Sequence, residues 1–240
     1  MSRLFRKIHY VEEAKKLFLD KINEIDLCIE NVELEQALGR VLAKDIYSKM
    51  NVPPFNRAAM DGFAVIAEDT FGASEDNPIE LKIIGESVIG KPFEGKLDHG
   101  EAVKIHTGAK IPDGANAVIP VEVTEVRDMQ LLVFSSVAPN DNVGKIGEDI
   151  KEGDLVLKRG VILQPFDLAL LKSIGVTQVP VKCKPIIGVF SCGDELTDDV
   201  NEVMEKSGKI IDSNRLMIKT YLKKIGCRVL DYGIVRDNVN

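Results

Sequence analysis

The sequence has no long apolar run, few cysteines and no excess of basic residues. None of its 240 residues belong to a stretch approaching the ~18 apolar residues of a transmembrane helix. The N-terminal segment carries basic residues without a following apolar core, so it is not a secretory signal. Hydrophobic residues make up 45% of the chain and the formal net charge is −7. This composition is typical of a globular, cytoplasmic chain of one to three domains that does not enter a membrane.

The cysteines are scattered and show no CxxC spacing. The four are Cys28, Cys183, Cys192 and Cys227. In a cytoplasmic protein this pattern predicts reduced thiols, mostly buried as small hydrophobic side chains. It also argues against a structural zinc site.

The charge balance limits the partners of the chain. The 38 acidic residues outnumber the 31 lysines and arginines, which argues against a nucleic-acid surface. A phosphorylated ligand remains compatible with this charge, because acidic residues can hold a divalent cation and the cation can hold phosphate.

The pattern of apolar and turn-forming residues predicts a multidomain α+β fold. Residues 11–25 predict an amphipathic helix whose inner face is Ala14, Leu17, Phe18, Ile22 and Ile25. A short helix is expected over 33–38, ending at Gly39, and a strand over 41–47. From residue 51 the composition changes, and prolines, glycines and short apolar runs alternate. Strands are expected at 63–66, 79–84, 102–105, 117–121, 131–133, 154–157 and 178–181, and a short helix at 167–173.

The last segment predicts the opening of a doubly wound sheet. Residues 186–190 form a continuous apolar run, as in a buried parallel strand. Residues 212–214 offer caps to a helix that runs to about Ile225. A second strand follows at 228–235. The inner face of the helix is predicted to be Leu216, Met217, Tyr221 and Ile225.

Three domains follow from this organisation. Residues 1–50 and 143–182 are predicted to form a discontinuous α/β scaffold domain, and residues 51–142 an inserted, mostly β domain. Residues 183–240 begin an α/β ligand-binding domain. One βαβ unit of this size is near the lower limit for an independent core, so part of its sheet face should lack a cover.

The stretch at 51–65, NVPPFNRAAMDGFAV, is the most distinctive of the chain. Two prolines restrict the backbone, and the small residues Ala58, Ala59 and Gly62 allow a close approach. Asp61 places a carboxylate among apolar neighbours. It is either a turn residue that caps a nearby backbone group or a functional acid.

This stretch resembles the signature of the molybdopterin molybdenumtransferases, the family of the MoeA proteins and the C-terminal domain of gephyrin. Three later stretches also resemble motifs of this family: HTGAKIPDGANAVIPVE at 106–122, GEDIKEGDLVLKRG at 147–160 and VFSCGDEL at 189–196. The chain departs from the family at Ala58, Phe63 and Cys192, where serine, tyrosine and threonine are common. Proteins of this kind run well past residue 240, so the resemblance predicts that this chain is a fragment, ending within the third domain.

Candidate site residues lie at strand ends and turns. Asp194, Glu195 and Asp237 follow two predicted parallel strands, where ligands of open α/β sheets bind; alternatively, Asp194 caps a helix and the others are solvated. Thr107 and Gly108 could cradle an anion or form an ordinary turn. The resemblance implies catalytic roles for Asp61, Asp149, Glu195 and Asp237, the last two as metal ligands. It implies substrate binding by Thr107, Gly108, Asp194 and Ser213.

The resemblance also implies a reaction, the last step of molybdenum cofactor biosynthesis. Molybdate and adenylylated molybdopterin bind with Mg²⁺, molybdenum enters the pterin dithiolene and AMP is released. The resemblance implies a cytoplasmic homodimer that dimerises through the domain of residues 1–50 and 143–182 and binds molybdopterin in the incomplete α/β domain of residues 183–240. The 240-residue chain alone is expected to be inactive. The alternative is a non-catalytic dimerising scaffold or binding fragment of the same family.

Overall fold

The structure, a computed structural model, describes residues 9–204 and 208–237. Residues 1–8, on which the exclusion of a secretory signal partly rests, lie outside these ranges. The chain forms two compact units. The first unit comprises the described residues up to Asp45, Lys158–Ala169 and those from Thr177 onward; the second comprises Ile46–Leu157 and Leu170–Val176. Across the described ranges, no helix is long and apolar enough to cross a bilayer.

The mixed α+β architecture is confirmed, and the three-part domain division stays a prediction. The described residues form the helices α1 (Val11–Asn23), α2 (Pro165–Ser173), α3 (Val200–Met204) and α4 (Ser213–Lys224). Their strands are β1 (Ile29–Glu33), β2 (Ile46–Tyr47), β3 (Arg57–Ala58), β4 (Gly62–Val65), β5 (Ile79–Ser87), β6 (Glu101–Ile105), β7 (Ala117–Pro120), β8 (Thr124–Arg127), β9 (Gln130–Val133), β10 (Val143–Gly144), β11 (Leu155–Leu157), β12 (Gln178–Lys182), β13 (Ile186–Cys192), β14 (Leu196–Thr197), β15 (Ile210–Ile211) and β16 (Arg228–Val235).

The second unit is built around a six-stranded sheet in the order β7-β4-β6-β5-β9-β8. Only β5 and β6 pair in parallel; the other neighbours are antiparallel. Because successive side chains of a strand point to opposite faces, the central strand β4 feeds two cores. Phe63 and Val65 belong to the core on one face, and Ala64 belongs to the core on the other.

The predicted strands of this unit are all present, with ends that differ by up to three residues. The two-residue strands β3 and β10 and the polar strand β8 escaped prediction, since they carry no apolar alternation. The helix expected at 33–38 is a single 3₁₀ turn over Leu34–Gln36. The strand expected at 41–47 is reduced to Ile46–Tyr47, because Val41 and Leu42 make only isolated bridges, to Ile162 and Val181.

A disulfide in the first unit corrects the prediction of four reduced, mostly buried thiols. Strands β1 and β12 pair antiparallel, with Ile29 opposite Lys182. Cys28 and Cys183 lie one residue further along this register and form a disulfide, with their Cα atoms 5.3 Å apart. Of the free cysteines, Cys192 is exposed and Cys227 is half-buried. The two bonded cysteines are 155 residues apart in sequence, so only strand pairing brings them together.

The β–loop–α–β arrangement predicted for the last segment is confirmed. Strands β13 and β16 are parallel neighbours, with Ile186 opposite Arg228 and Cys192 opposite Val235. Asp212 caps α4 by accepting a hydrogen bond from the Arg215 amide. The continuous burial expected for β13 is wrong: Val189 is buried, whereas Ile186 and Phe190 are exposed. An uncovered part of this sheet was expected.

The inner face predicted for α4 is also wrong. Its four predicted members are all largely exposed, and they are Leu216, Met217, Tyr221 and Ile225. Arg215 is buried instead, and Lys219 and Leu222, on the same face, are half-buried. Hydrogen bonding therefore decides which face of α4 turns inward. Arg215 donates to the carboxylates of Asp198, Asp212 and Asp231, and an apolar side chain in its place would leave them without this partner.

Helix α1 forms as predicted, but its apolar face has no cover within the described residues. None of its residues is buried, and Leu17, Phe18 and Ile22 of the predicted inner face are exposed. An amphipathic helix is normally stabilised by packing of its apolar face, so this surface is available for a further partner.

Candidate functional site

The stretch at 51–62 is joined by backbone hydrogen bonds to the segment at 106–111. The Ala58 amide donates to the Ala109 carbonyl at 2.9 Å, and the Gly108 amide donates to the Ala58 carbonyl at 2.8 Å. The amide of Ile111 donates to the Asn56 carbonyl at 2.9 Å. The first two sequence motifs are therefore hydrogen-bonded neighbours within the second unit.

The same stretch is also joined to the segment at 142–152. The Ala59 amide donates to the Asn142 carbonyl at 2.9 Å, and the Gly147 amide donates to the Pro53 carbonyl at 2.9 Å. The side-chain oxygen of Asn56 accepts from the Ile146 amide at 2.8 Å. Three of the four motifs thus meet on residues 51–62, although they are far apart in sequence.

Asp61 and Thr107 are brought into contact. Oδ1 of Asp61 accepts two hydrogen bonds from Thr107, one from the amide at 2.7 Å and one from the hydroxyl at 3.1 Å. The neighbouring His106 Nδ1 lies 3.8 Å from the same oxygen. The hydrogen bonds from the Thr107 amide and hydroxyl hold the pKa of the Asp61 carboxyl below its usual range. The group therefore stays ionised.

Asp61 is exposed rather than enclosed by its apolar neighbours, with 65% of its side chain accessible. One of its oxygens does cap a backbone amide, as the simpler interpretation predicted, while Oδ2 makes no hydrogen bond within the described residues. Gly62 is required by close packing, because a Cβ atom there would lie 2.0 Å from the Ile119 carbonyl oxygen. The glycine lets β4 approach β7 directly beside the carboxylate.

The backbone anion cradle predicted at Thr107 and Gly108 is not available. The Thr107 amide is bonded to Asp61, the Gly108 amide to the Ala58 carbonyl and the Ala109 amide to the His106 carbonyl. A donor that is already used cannot bind a ligand without breaking its bond. Gly108 adopts φ 83°, so its contribution is the shape of the turn.

Asp149 lies on the third motif, and its position is fixed by its backbone. Its amide donates to the Val52 carbonyl at 3.0 Å. Its side chain is exposed, and within the described ranges its carboxylate makes no bond to Asp61 or Thr107. The preceding acid, Glu148, is the one that is engaged: Arg57 Nη2 donates to its Oε1 at 2.7 Å. Arg57, followed by the Lys145 amide, lowers the pKa of the Glu148 carboxyl.

The acids of the last segment meet at the carboxyl ends of β13 and β16. The Asp237 amide donates to Oδ1 of Asp194 at 3.3 Å, and the Cys192 thiol donates to Oδ1 of Asp237 at 3.1 Å. The Asp237 carboxylate, with the charges of Asp194 and Glu195, raises the pKa of that thiol. The Asp194 carboxylate therefore accepts a hydrogen bond from the backbone just after β16, and it does not cap a helix.

Glu195 and Ser213 complete the predicted set. A Cβ atom on Gly193 would lie 2.7 Å from the Glu195 carboxylate oxygens, so the glycine permits the acid to fold back over the turn. Ser213 is the first residue of α4 and is exposed. Within the described residues, no group of three or more His, Cys, Asp or Glu side chains is arranged to hold a metal ion on its own.

The predicted site residues therefore form two groups. Asp61, Thr107, Gly108 and Asp149 lie in the second unit, and Asp194, Glu195, Ser213 and Asp237 lie in the first. Sequence reasoning missed Arg57, which stands within the signature stretch as its only basic residue. It also missed Arg215, whose acidic partners are spread over 198–231 and give no local signal.

A family model described as the MoeA N-terminal region, domains I and II, matches residues 9–175. The chain belongs to the MoeA family. It is 40% identical over 210 residues to a molybdopterin molybdenumtransferase from Haemophilus influenzae, covering 87% of this chain and 50% of that protein. It is 37% identical over 229 residues to a molybdopterin molybdenumtransferase from Staphylococcus epidermidis, covering 95% and 54%.

A solved structure of the family has the same fold. The crystal structure of the molybdopterin biosynthesis MoeA protein from Pyrococcus horikoshii superposes with a TM-score of 0.87 and 39% identity, over 97% of this chain and 58% of that one. The MoeA-family chain thus spans about half the length of its relatives, 50–58% of those named here.

Proposed function

We propose that this MoeA-family chain is the N-terminal part of an enzyme of molybdenum cofactor biosynthesis. The reaction inserts molybdenum from molybdate into adenylylated molybdopterin and releases AMP. The proposal is supported by relatives named molybdopterin molybdenumtransferase, at 37–40% identity over most of this chain. The metal ion that is transferred is a substrate, and the pterin supplies its sulfur ligands.

One structural observation carries the proposal: an ionised, exposed carboxylate is held by Thr107 where three motifs meet. The hydrogen bonds from Thr107 orient Asp61 and leave its Oδ2 free. Because the pKa of Asp61 is lowered, it is a poor general base near neutral pH. Its role is to orient a water molecule by accepting a hydrogen bond from it. Asp149 presents a second carboxylate on the same framework.

Glu195 and Asp237 would hold Mg²⁺, with Asp194 beside them. Carboxylate oxygens on adjacent strand ends suit this hard cation, which commonly uses one or two carboxylates and completes its shell with water and substrate phosphate. Bound Mg²⁺ would offset the negative charge of the phosphate groups. The Cys192 thiol orients the Asp237 carboxylate, and the Asp237 amide orients that of Asp194.

The enzyme is proposed to act as a homodimer. The exposed apolar face of α1, with Leu17, Phe18 and Ile22, is a surface that a second copy could cover. The same observation favours the second candidate function, a non-catalytic dimerising scaffold, because it requires no chemistry of the acids.

The deciding experiment measures molybdenum transfer to adenylylated molybdopterin by the 240-residue chain and by a version extended to the length of its relatives. We expect only the longer version to turn over. In that version Asp61→Asn and Glu195→Gln should each lower turnover by about 10²-fold or more, while the exposed turn variant Asp76→Asn serves as the matched control. Unchanged turnover in both site variants would remove the assignment. Dimerisation without turnover in either length would establish the scaffold.

A further inference from the structure

A cavity beside Thr107 contains a basic residue to which no role has been assigned. The cavity has a volume of about 330 Å³ and is open to solvent. Small residues form most of its wall, and among the described residues that line it only Arg57 and Glu148 are charged. It is lined by Arg57, Ala58, Ala59, Thr107, Gly108, Gly144 and Glu148.

The Arg57 guanidinium is oriented but only partly used. Its Nη2 donates to Glu148 Oε1 at 2.7 Å, and Glu148 Oε2 accepts from the Lys145 amide at 3.1 Å. Within the described residues, Nε and Nη1 make no hydrogen bond. The side chain is 42% exposed. A guanidinium that is fixed on one side retains its other donors for a ligand.

The small residues create the space in which the pair lies. A Cβ atom on Gly144 would be 3.2 Å from Arg57 Cγ and 3.2 Å from Glu148 Oε1. A side chain at position 144 would therefore press against both members of the ion pair. Gly108 and Ala58, which also line the cavity, are joined by a backbone hydrogen bond of 2.8 Å.

We propose that Arg57 is an anion-binding residue that holds a phosphate group in this cavity. The planar fork of a guanidinium matches phosphate oxygens and can bind two of them at once. Glu148 keeps the fork pointing into the cavity and weakens the attraction with its own charge. The proposal deepens the proposed function by assigning a phosphate subsite next to Thr107, and it rests on that function only for the identity of the phosphate ester.

AMP is the probe, because it carries one phosphate group and requires no turnover. The ¹⁵N-labelled 240-residue chain is titrated with AMP and followed by NMR. We expect shifts at the Gly108 and Gly144 amides and at the Arg57 side chain. Arg57→Gln should weaken binding at least about tenfold, and Arg57→Lys, which keeps the charge but loses the fork, should lie between it and the unchanged protein.

Two further variants make the test specific. Glu148→Gln keeps an oxygen for Arg57 and removes a negative charge, so AMP should bind about threefold more tightly. Arg127→Gln is the matched control: Arg127 forms a surface pair with Glu125, at 2.9 Å, in the same unit, and its loss should leave AMP binding unchanged. The backbone spectrum of each variant checks that its fold is retained.

Equal AMP affinity in Arg57→Gln and the unchanged chain would overturn the proposal. So would shifts confined to the larger cavity of the first unit, about 520 Å³, which Lys184 and Lys224 line. These outcomes are independent of molybdenum transfer. If Arg57-dependent AMP binding were found while Asp61→Asn left turnover unchanged, the phosphate subsite would stand and the proposed role of Asp61 would not.

Discussion

The six-stranded sheet of the second unit and the β13–α4–β16 layer of the first are stabilised in opposite ways. The sheet buries apolar side chains on both faces, and Leu131, Val133 and Ile119 are inaccessible to solvent. In the layer the buried side chain of the helix is Arg215, while Leu216, Met217 and Tyr221 face outward. The six-stranded sheet is stabilised by hydrophobic burial, whereas the β13–α4–β16 layer is stabilised to a large extent by hydrogen-bonded charges.

Arg215 is the centre of the charged layer. Its Nε donates to Asp212 at 2.8 Å and its Nη1 donates to Asp231 at 2.7 Å, while Nη2 donates to Asp198. One side chain thereby links the helix cap, the strand β16 and the loop after β14. A buried arginine is tolerated because its donors are satisfied. In this layer the side chain that faces inward from α4 is therefore held by hydrogen-bonded charge, while apolar side chains of the same helix remain exposed.

The difference between the two regions is tested most directly by replacing one leucine in each with alanine. Leu131→Ala in the sheet should lower the free energy of unfolding by about 2–5 kcal/mol, since it removes a fully buried side chain and leaves a cavity. Leu216→Ala on the exposed face of α4 should change it by less than about 0.5 kcal/mol. Urea denaturation followed by circular dichroism measures both. Similar losses in the two variants would mean that the α4 face is covered in solution.

The disulfide offers the next largest effect. Replacing Cys28 and Cys183 together by serine should destabilise the first unit by about 2–4 kcal/mol, because the crosslink restricts the unfolded chain. Hydrogen exchange should show the loss in β1 and β12 and leave the six-stranded sheet unchanged. Cys227→Ser, at a free and half-buried cysteine, is the control. An unchanged β1–β12 pair in the double variant would show that the strand hydrogen bonds suffice.

Removing the central arginine tests the charged layer itself. Arg215→Ala should lower the stability of the layer by about 1–3 kcal/mol, less than for a fully enclosed ion pair because Asp198 and Asp231 are partly exposed. Hydrogen exchange of α4 and β16 gives the local free energy. Arg228→Ala, at an exposed position of β16, should have little effect. Full protection of α4 in the Arg215 variant would assign its stability to apolar contacts instead.

The smallest predicted effect is a loss of stability of the β13–α4–β16 layer at low pH. Lys219, the Gly233 amide and Arg215 hold the pKa of Asp231 well below its usual range. A depressed carboxyl pKa contributes stability above its unfolded value of about 3.9, and the contribution is lost as the pH falls through the folded value. Hydrogen exchange at pH 6 and pH 3, corrected for intrinsic rates, should therefore show α4 losing protection before the six-stranded sheet does. Equal loss in both regions would contradict this.

Local sequence patterns predicted most of the secondary structure, and the errors have identifiable causes. Strand β5 was found because apolar and polar residues alternate over 79–83. Strand β9 was found because it lies on a short apolar run, 131–134, bounded by polar residues. The short strands β3 and β10 lie within turns and are defined by their partners alone. The disulfide was missed because its two cysteines meet only through the β1–β12 register.

Some contacts of the candidate site could be predicted from the sequence, and others could not. The proximity of Asp194 and Asp237 follows from parallel strands that end at the same edge of a sheet, so the sequence could anticipate it. The contact of Asp61 with Thr107 could be expected only from the family resemblance. Arg57 and Glu148 are 91 residues apart, and no periodicity or spacing marks them as a pair. The use of the Thr107 and Gly108 amides likewise depends on neighbours that are distant in the chain.

The sequence by itself determined most of the elements, the motifs and the family, because these depend on local periodicity and on residue types at fixed spacing. Only the tertiary structure decided which amides stay free, which helix face turns inward and which cysteines bond. Those outcomes depend on hydrogen-bond partners and strand registers that join residues far apart in the chain. The energy of a polar group depends on its hydrogen-bond partners, and partners such as Glu148 for Arg57 lie far away in the sequence.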